Sequence, residues 1–461
     1  MLLRRTPTIL FVLGLLATVA LFALFQARRT AAQTADQQLR QLVQERNLHP
    51  LSLPTTTNPA LVALGEKLFF DRELSGNRDT SCSTCHNIAL GLSDGLPLAI
   101  GTGGQGDAPQ RTLGDGRQFV PHNTLDLFNR GSAEWVTMFW DGRVSGTAET
   151  GFTSPAGEYL PSGLANALAV QSLIALASRH EMRGGVYNVA GYVLQPGQNP
   201  EDLPDQRVGW GDVDIYGQPN ELAEIGNTAA DMPLVWEALM VRLANQPEYA
   251  PLFASAYPDT PADQLTIAHV ANALSAYQAA EFVAADTPWD RYLAGDEAAL
   301  DSEAKQGALL FFGTANCASC HTGPLFTDLQ FHNIGVPQFG PGTDEIAPLD
   351  YGRYRTTQNP ADQFAFRTPS LRQVGQTGPW FHNGAYASLE EVVRHHLDPA
   401  TALPAYTGEH LPPELRRTLQ DAAVTHKNIL ATLSPLLPPA EPLSNRQVRQ
   451  LVAFLESLTE K

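Results

Sequence analysis

Two short stretches of the sequence repeat one pattern that sharply limits what the chain can fold around. Residues 82–86 read CSTCH and residues 317–321 read CASCH, and together they contain all four cysteines of the 461-residue chain. A histidine directly follows each Cys-x-x-Cys pair, so it stands four residues after the first cysteine and shares a helical face with it. The fold must therefore present two thiols and one imidazole together, at two separate places.

Three kinds of chemistry use cysteine pairs of this type. Four cysteines in an exported chain could form two disulfides. They could also bind zinc, but zinc-binding pairs usually lie about 15–20 residues apart, whereas these pairs are separated by more than 200 residues. In covalent attachment of c-type haem, both thiols add to the haem and the histidine binds the iron.

The histidine that follows both pairs favours haem attachment. We therefore predict two covalently attached haem c groups, with His86 and His321 as iron ligands. The predicted haem-binding residues are Cys82, Cys85, His86, Cys317, Cys320 and His321.

The N-terminus has the pattern of an export signal. Arg4 and Arg5 precede an apolar run over 9–25, which predicts a signal peptide or membrane anchor over 1–32. Whether it is cleaved stays open. Export suits c-type haem attachment, which takes place after translocation, so we expect the protein in the periplasm or at the outer face of the cytoplasmic membrane. The net charge of -18 argues against nucleic acid as a partner.

Apolar spacing predicts a mainly α fold with long loops, and the two haem motifs divide it into two haem domains. Helical patterns cover 163–182, 261–282 and 445–458, with little strand alternation between them. The predicted order is a tether over 33–57, an N-terminal haem domain over 58–290 and a C-terminal haem domain over 300–461. The last helices are free to pack back on the first domain, and the segment 184–225 receives no role.

Residues 101–106 read GTGGQG, a pattern associated with dinucleotide-binding loops. A nucleotide site also needs a strand before the glycines and a helix after them. The flanking residues have loop chemistry instead, so we predict no nucleotide site. We expect these glycines to let a loop lie close to the N-terminal haem.

Several longer runs resemble the bacterial di-haem cytochrome c peroxidases, a family that includes the protein-modifying di-haem oxidases of methylamine utilisation. The resemblance extends over residues 55–400. It rests on LGEKLFFDRELSGN (64–77), FWDGR (139–143), HEMRG (180–184), WDRYLAGD (289–296), GPLFTDLQFHNIGV (323–336) and RTPSLRQVGQTGPWFHNGAYASLEEVV (367–393).

The resemblance implies a second iron ligand for the C-terminal haem. The five methionines all lie before residue 241, so no methionine is available within the C-terminal half. In the family, this ligand follows the F-H-[DN]-G motif by fourteen positions. Counting from His382 gives His396, with His395 as the alternative, and His382 itself is expected to support a haem propionate. Bis-histidine ligation implies a lower potential than His/Met.

The resemblance implies two cytochrome-c-like domains, the N-terminal one peroxidatic and the C-terminal one for electron transfer. It also implies the residues around the N-terminal haem. A family histidine that caps this iron at rest would fall at position 102, where this chain has Thr102. We therefore expect a peroxide site that is open without prior reduction. Glu181 is the expected acid–base catalyst and Gln171 the polar group, with His180 as a rival base. Their spacing of ten requires the helix to bend or end if both are to reach the iron.

Between the haems, the resemblance places Trp140 as a relay for electrons or holes. It also implies one calcium ion, with Asn123, Thr377 and Pro379 as oxygen ligands.

The leading hypothesis is a di-haem peroxidase that reduces hydrogen peroxide with electrons from a small c-type cytochrome or another periplasmic donor. One alternative is a di-haem oxidase that modifies a partner protein through a high-valent haem state. Another is a non-catalytic di-haem electron carrier, against which the acid–base residues argue. The electron donor and the oligomeric state, with a homodimer among the options, are left open.

Overall fold

A computed structural model of the protein describes residues 35–52, 58–185, 212–343, 347–438 and 443–460. The predicted signal peptide or anchor lies outside these residues, as does most of the 184–225 segment. Among the helices of the described ranges, none is long and apolar enough to cross a membrane.

The described residues fold mainly into helices, many of which begin at a polar capping residue. Asn166, Asp301 and Ser388 each accept a hydrogen bond from a backbone N–H of the first turn that follows. These bonds satisfy amide groups that a helix leaves unpaired at its start. The helices are α1 (35–45), α2 (Pro59–Phe70), α3 (Cys82–Cys85), α4 (Ala167–Ala177), α5 (Met232–Ala244), α6 (Tyr249–Ala256), α7 (Ile267–Glu281), α8 (Pro288–Leu293), α9 (Ser302–Phe311), α10 (Tyr354–Thr357), α11 (Leu389–Leu397), α12 (Pro399–Ala405), α13 (Pro413–Arg416), α14 (Ala423–Leu430) and α15 (Asn445–Glu456).

Two small antiparallel sheets stand among these helices. Strands β1 (Thr137–Met138), β2 (Val144–Thr147) and β3 (Gly151–Thr153) pair in that order, and β4 (Phe331–His332) pairs with β5 (Phe366–Arg367). In the second sheet His332 lies opposite Phe366, and this pairing joins two segments that line the C-terminal cavity described below. The mainly α architecture agrees with the sequence-based prediction.

The first apolar core lies in the N-terminal half, where α2 and α4 pack against α7. On α7, Ile267, Val270 and Leu274 are buried, as their spacing predicts. The crossing of α2 and α7 is close, because a Cβ atom at Gly65 would lie only 2.0 Å from the carbonyl oxygen of Ala273. Glycine at this position lets the two backbones meet.

The second core, in the C-terminal half, also has a close helix crossing at a glycine. Helix α9 packs on α15, and a Cβ atom at Gly307 would lie 1.8 Å from the carbonyl oxygen of Gln450. Trp289 of α8 is buried beside them, with its ring centroid 5.2 Å from that of Phe454. In each half, the helix with the glycine crossing leads into a Cys-x-x-Cys-His motif.

The stretch predicted as a tether is not a tether over the residues that the structure describes. Residues 35–45 form α1, whose Leu39 is fully buried in the second core. Asp36 of the same helix lies 2.7 Å from the Nζ of Lys305. The apolar residues of α1 recur at helical spacing. Many polar residues lie between them, so the sequence alone did not indicate a packed helix here.

The last helix, α15, lies mainly in the second core. It packs against α9 and α11 and also contacts Trp289, at the end of the predicted first domain. Helix α8, which spans the predicted domain boundary at 290, also contributes to that core. The reason is local: the large aromatic side chains of α8 need the apolar surface that α9 and α15 provide.

Buried contacts of Arg372 and a third apolar cluster hold the two halves together. Arg372 contacts both carboxylate oxygens of Asp290 within the second core, at 2.7 and 2.9 Å, and its Nη1 also donates to the backbone carbonyl of Ala284 in the N-terminal half, at 3.3 Å. In the third cluster, Leu98 of the N-terminal half packs with Val336 and other apolar residues of the C-terminal half. The relative position of the two haem motifs therefore depends on buried contacts rather than on a loose linker.

The close approach of α2 and α7 at Gly65 predicts that replacing this glycine with alanine lowers the stability of the protein. Alanine is a better helix former than glycine by about 1 kcal/mol, so propensity alone predicts that Gly65→Ala stabilises the protein. Steric overlap with α7 instead predicts a loss of roughly 1–3 kcal/mol. Denaturant unfolding of the haem-loaded variant measures this, with Ala63→Gly on the exposed face of α2 as a control that should lose about 1 kcal/mol. A stabilised Gly65→Ala protein would contradict the close crossing.

Candidate active site

Both motif histidines are oriented by a backbone carbonyl and kept neutral. The Nδ1–H of His86 donates to the carbonyl of Leu92 at 3.3 Å, and that of His321 donates to the carbonyl of Phe326 at 3.0 Å. Burial lowers the pKa of each imidazole to about 4. A neutral ring with its Nδ1 engaged leaves Nε2 available, which is the state in which histidine binds a metal.

The cysteines lie with their own histidines in two separate cavities. The N-terminal cavity is lined by Cys82, Cys85 and His86, and the C-terminal cavity by the corresponding residues of the second motif. All four cysteines are free, which disagrees with the disulfide alternative. A single four-cysteine zinc site is also inconsistent with two cavities. Two thiols and an imidazole on one cavity wall fit covalent haem attachment.

One group of potential metal ligands occurs among the described residues. A ligand atom from each of Cys320, Asp328 and His332 lies within 4.8 Å of the others. The carboxylate of Asp328 lies 2.9 Å from the Nε2 of His332 and raises the pKa of this imidazole to about 9. Cys320 is part of the second Cys-x-x-Cys-His motif, so this group lies beside the predicted haem-attachment residues.

The expected acid–base residues line the N-terminal cavity. Gln171 and Glu181 both face it, together with Arg143. Helix α4 ends at Ala177, and a separate π-helical turn over Arg179–Arg183 carries Glu181. The helix therefore ends between the two residues, as their spacing required. The rival base His180 is not among the residues that line this cavity.

Burial raises the pKa of Glu181, and the positive charge of Arg143 partly offsets the rise. The guanidinium of Arg143 is held in turn by Asp141, whose two carboxylate oxygens lie 3.1 and 3.0 Å from its Nη1. A carboxyl group with a raised pKa can take and return a proton near neutral pH. The cavity thus combines an acid–base group, a cation and an amide.

The glycine segment, residues 101–106, lies closer to Glu181 than to the haem motif. Thr102 is buried and does not line the cavity, because its hydroxyl donates to the carboxylate of Asp79 at 2.6 Å. A Cβ atom at Gly101 would lie 2.3 Å from the carbonyl oxygen of Glu181. The loop does approach the motif, since the carbonyl oxygen of Ile100 lies 3.8 Å from the Sγ of Cys85.

Only one of the two neighbouring histidines on α11 faces the C-terminal cavity. His396 lines it with His321, and the Nδ1–H of His396 donates to the carbonyl of Val392 at 2.8 Å. His395 points elsewhere. Its Nδ1 lies 2.9 Å from the hydroxyl of Tyr386, and its Nε2 lies 2.8 Å from the carbonyl oxygen of Ile334. Both ring nitrogens of His395 are therefore engaged.

Trp140 lines both cavities. The Nε1–H of this buried indole donates to the carbonyl of Asn123 at 3.0 Å, and Asn123 also lines both cavities. The other two expected calcium ligands, Thr377 and Pro379, line the C-terminal cavity. His382 lines it too and stacks on the ring of Phe366 at a centroid distance of 3.4 Å.

Sequence reasoning missed a buried ion-pairing contact beside these cavities. His122 lines the N-terminal cavity, and its Nε2 lies 2.6 Å from a carboxylate oxygen of Asp350. The hydroxyl of Thr343 and the N–H of Gly352 hold the same carboxylate. The two partners stand 228 positions apart in the chain, so no local pattern signals their contact. The place of Arg143 in the cavity could have been predicted from the sequence, because this residue belongs to the FWDGR run.

Comparison with known proteins agrees with this geometry. Residues 59–298 match a family model described as di-haem cytochrome c peroxidase. Methylamine utilization protein MauG of Methylorubrum extorquens is 30% identical over 411 residues, or 89% of this chain and 80% of its own. Cytochrome-c peroxidase IdrP1 of Denitromonas iodatirespirans is 30% identical over 413 residues, or 84% and 85% of the two chains. A crystal structure of a MauG-like protein associated with microbial copper homeostasis has a TM-score of 0.56 and 23% identity, covering 90% and 93% of the two chains.

The raised pKa of Glu181 predicts a pH-dependent cost to stability. A carboxyl group whose pKa rises on folding favours the folded state when protonated, and this contribution is lost as the pH rises through the folded pKa. Glu181→Gln should therefore unfold at a higher temperature than the wild type at pH 8, and the difference should shrink toward pH 5. Thermal unfolding at both pH values measures it. The exposed Glu158→Gln should show no such pH-dependent gain, and an equal gain there would contradict the burial argument.

Proposed function

The chain belongs to the di-haem cytochrome c peroxidase family, and on that premise we propose that it reduces hydrogen peroxide to water. One observation supports this most directly: Glu181, with its raised pKa, and Gln171 line the same cavity as His86 and its cysteine pair. An electron carrier has no need of an acid–base group there. The electrons come from a small c-type cytochrome or another periplasmic donor.

The haem in the N-terminal cavity would be held by Cys82, Cys85 and His86, and when bound it supplies the iron to which peroxide binds and the electrons that reduce it. Glu181 takes the proton from the near oxygen of peroxide and returns it to the far oxygen, which leaves as water. The amide of Gln171 donates a hydrogen bond that stabilises the developing negative charge. Overall, one peroxide consumes two electrons and two protons and gives two waters.

The C-terminal haem would be held by Cys317, Cys320 and His321, with His396 as the second iron ligand. The positions of the ring nitrogens support this choice over His395. His396 keeps Nε2 available toward the cavity, whereas His395 uses both nitrogens in hydrogen bonds. Ligation by two histidines favours a low-potential electron-transfer centre.

Trp140 is the proposed route between the two centres, because its indole lines both cavities. We also propose one calcium ion bound by Asn123, Thr377 and Pro379. These residues line one cavity and offer the oxygen ligands that calcium prefers. Finally, the apolar run between arginines near the N-terminus supports export to the periplasm or the outer face of the cytoplasmic membrane.

A second candidate function is the oxidation of residues in a partner protein, with Trp140 sharing oxidising equivalents between the haems. Two observations favour it. Thr102 stands where family peroxidases carry a capping histidine, and its hydroxyl is turned to Asp79. In addition, a methylamine utilization protein is among the relatives with 30% identity.

Rapid mixing with peroxide, followed by reduced cytochrome c, tests the proposed function. Repeated oxidation of cytochrome c supports the peroxidase, whereas a long-lived oxidised species without turnover supports the partner-modifying oxidase. An absence of any reaction with peroxide would overturn both. The Glu181→Gln variant serves as the control for chemistry at the cavity. Its rate of reaction with peroxide should fall by roughly 10²–10⁴-fold, because the proton acceptor is lost.

The ligand assignment predicts opposite outcomes for two neighbouring variants. His396→Gln should convert the C-terminal haem from low spin to high spin, because its second ligand is removed. His395→Gln should keep the low-spin signal but lower the unfolding temperature, because it breaks two buried hydrogen bonds. Electron paramagnetic resonance of the ferric proteins separates the two. Loss of the low-spin signal in His395→Gln alone would reverse the assignment.

A further inference from the structure

The backbone that carries Glu181 is not supported by its own helix. Helix α4 ends at Ala177, where Ser178 adopts an extended conformation, and only the short π-helical turn follows. On one side of this turn, the N–H of Gly76 donates to the carbonyl of Met182 at 2.7 Å. The carboxylate of Glu181 has a side-chain hydrogen bond with Ser178, but the backbone that carries it is supported by segments that are distant in the sequence.

The glycine segment supplies the main support on the other side. The N–H of Thr102 donates to the carbonyl of Glu181 at 2.8 Å. Gly101 packs so closely that a Cβ atom there would lie 2.1 Å from the carbonyl oxygen of His180 and 2.3 Å from that of Glu181. No side chain fits between the two backbones, so a shift of the segment moves Glu181 with it.

The glycine segment is held in place by two charged side chains, the half-buried Asp79 and the buried Arg111. The carboxylate of Asp79 accepts the hydroxyl of Thr102 at 2.6 Å and the N–H of Gly103 at 2.7 Å. The guanidinium of Arg111 donates to the carbonyls of Ile100 and Gly101, at 2.9 and 2.8 Å. Hydrogen bonds to charged groups are stronger than those between neutral groups, so these bonds fix the segment firmly.

We propose that Thr102 is a positioning residue for Glu181: its hydroxyl locks the glycine segment to Asp79, and its N–H holds the backbone of the catalytic acid. The proposal rests on the proposed function, because Glu181 matters only if it moves a proton. Thr102 occupies the position at which related enzymes carry an iron-capping histidine. In this chain the residue at that position stabilises the catalytic acid and presents no ligand to the iron.

The test compares Thr102→Val, which removes the hydroxyl and keeps the side-chain shape, with Thr102→Ser, which keeps the hydroxyl. Thr112→Val, at an exposed position of the same loop, is the matched control. The readouts are the rate constants of the ferric protein with peroxide and with cyanide. Cyanide binds iron as an anion, while HCN dominates in neutral water, so its binding also needs a base in the cavity.

Thr102→Val should slow both reactions by roughly tenfold, because a small displacement of a catalytic group costs about that much or more. Thr102→Ser and Thr112→Val should react at the wild-type rates, and the ferric spectrum should be unchanged in all three. Wild-type rates in Thr102→Val, or an equal loss in Thr102→Ser, would overturn the proposal.

Asp79→Asn provides a second variant if Thr102→Val does not load haem. It should slow cyanide binding as well, and the double variant should lose no more than the single ones, because both residues act through one anchor. Additive losses would contradict a shared anchor. If the wild type binds cyanide but does not turn over peroxide, the proposed function fails, while the cyanide series still decides the role of Thr102.

Discussion

The structure depends on keeping two imidazoles buried, neutral and oriented. Each histidine follows a pair of cysteines, donates its Nδ1–H to a nearby carbonyl and faces a cavity with its other nitrogen. Burial is the main cause that holds the pKa of both rings far below its ordinary value. The helices before the motifs, with their glycine crossings, place these rings at defined depths in the two cores.

Different surroundings give the two cavities different chemistry. His396 lines the C-terminal cavity beside His321, whereas Glu181 and Gln171 line the N-terminal cavity beside His86. Burial of Glu181 costs stability when its carboxyl is ionised, and the burial of apolar side chains in the two cores offsets this cost. Trp140 forms part of both cavities, as does Asn123, so the two sites share part of their walls.

The sequence predicted what local patterns encode. The Cys-x-x-Cys-His spacing indicated both haem sites, and apolar periodicity located α7 and α15. It also implied that α4 must bend or end if Gln171 and Glu181 are both to reach the iron. Contacts between distant residues were beyond this reasoning: nothing near His122 indicates Asp350, which lies 228 positions away. The glycine segment was expected to approach the haem, but its Gly101 also packs closely on the backbone of His180 and Glu181, which no single-segment pattern reveals.

The docking of α1 makes the C-terminal half discontinuous along the chain. Its core contains Leu39 from one end of the described chain and Phe454 from the other, with the whole N-terminal half between them. During synthesis the N-terminal half can complete its core first, whereas α1 can pack only after α9 and α15 have been synthesised. A fragment that begins at residue 300 would also lack Leu39 and Trp289, so the second haem unit cannot be excised as one continuous piece without exposing its core.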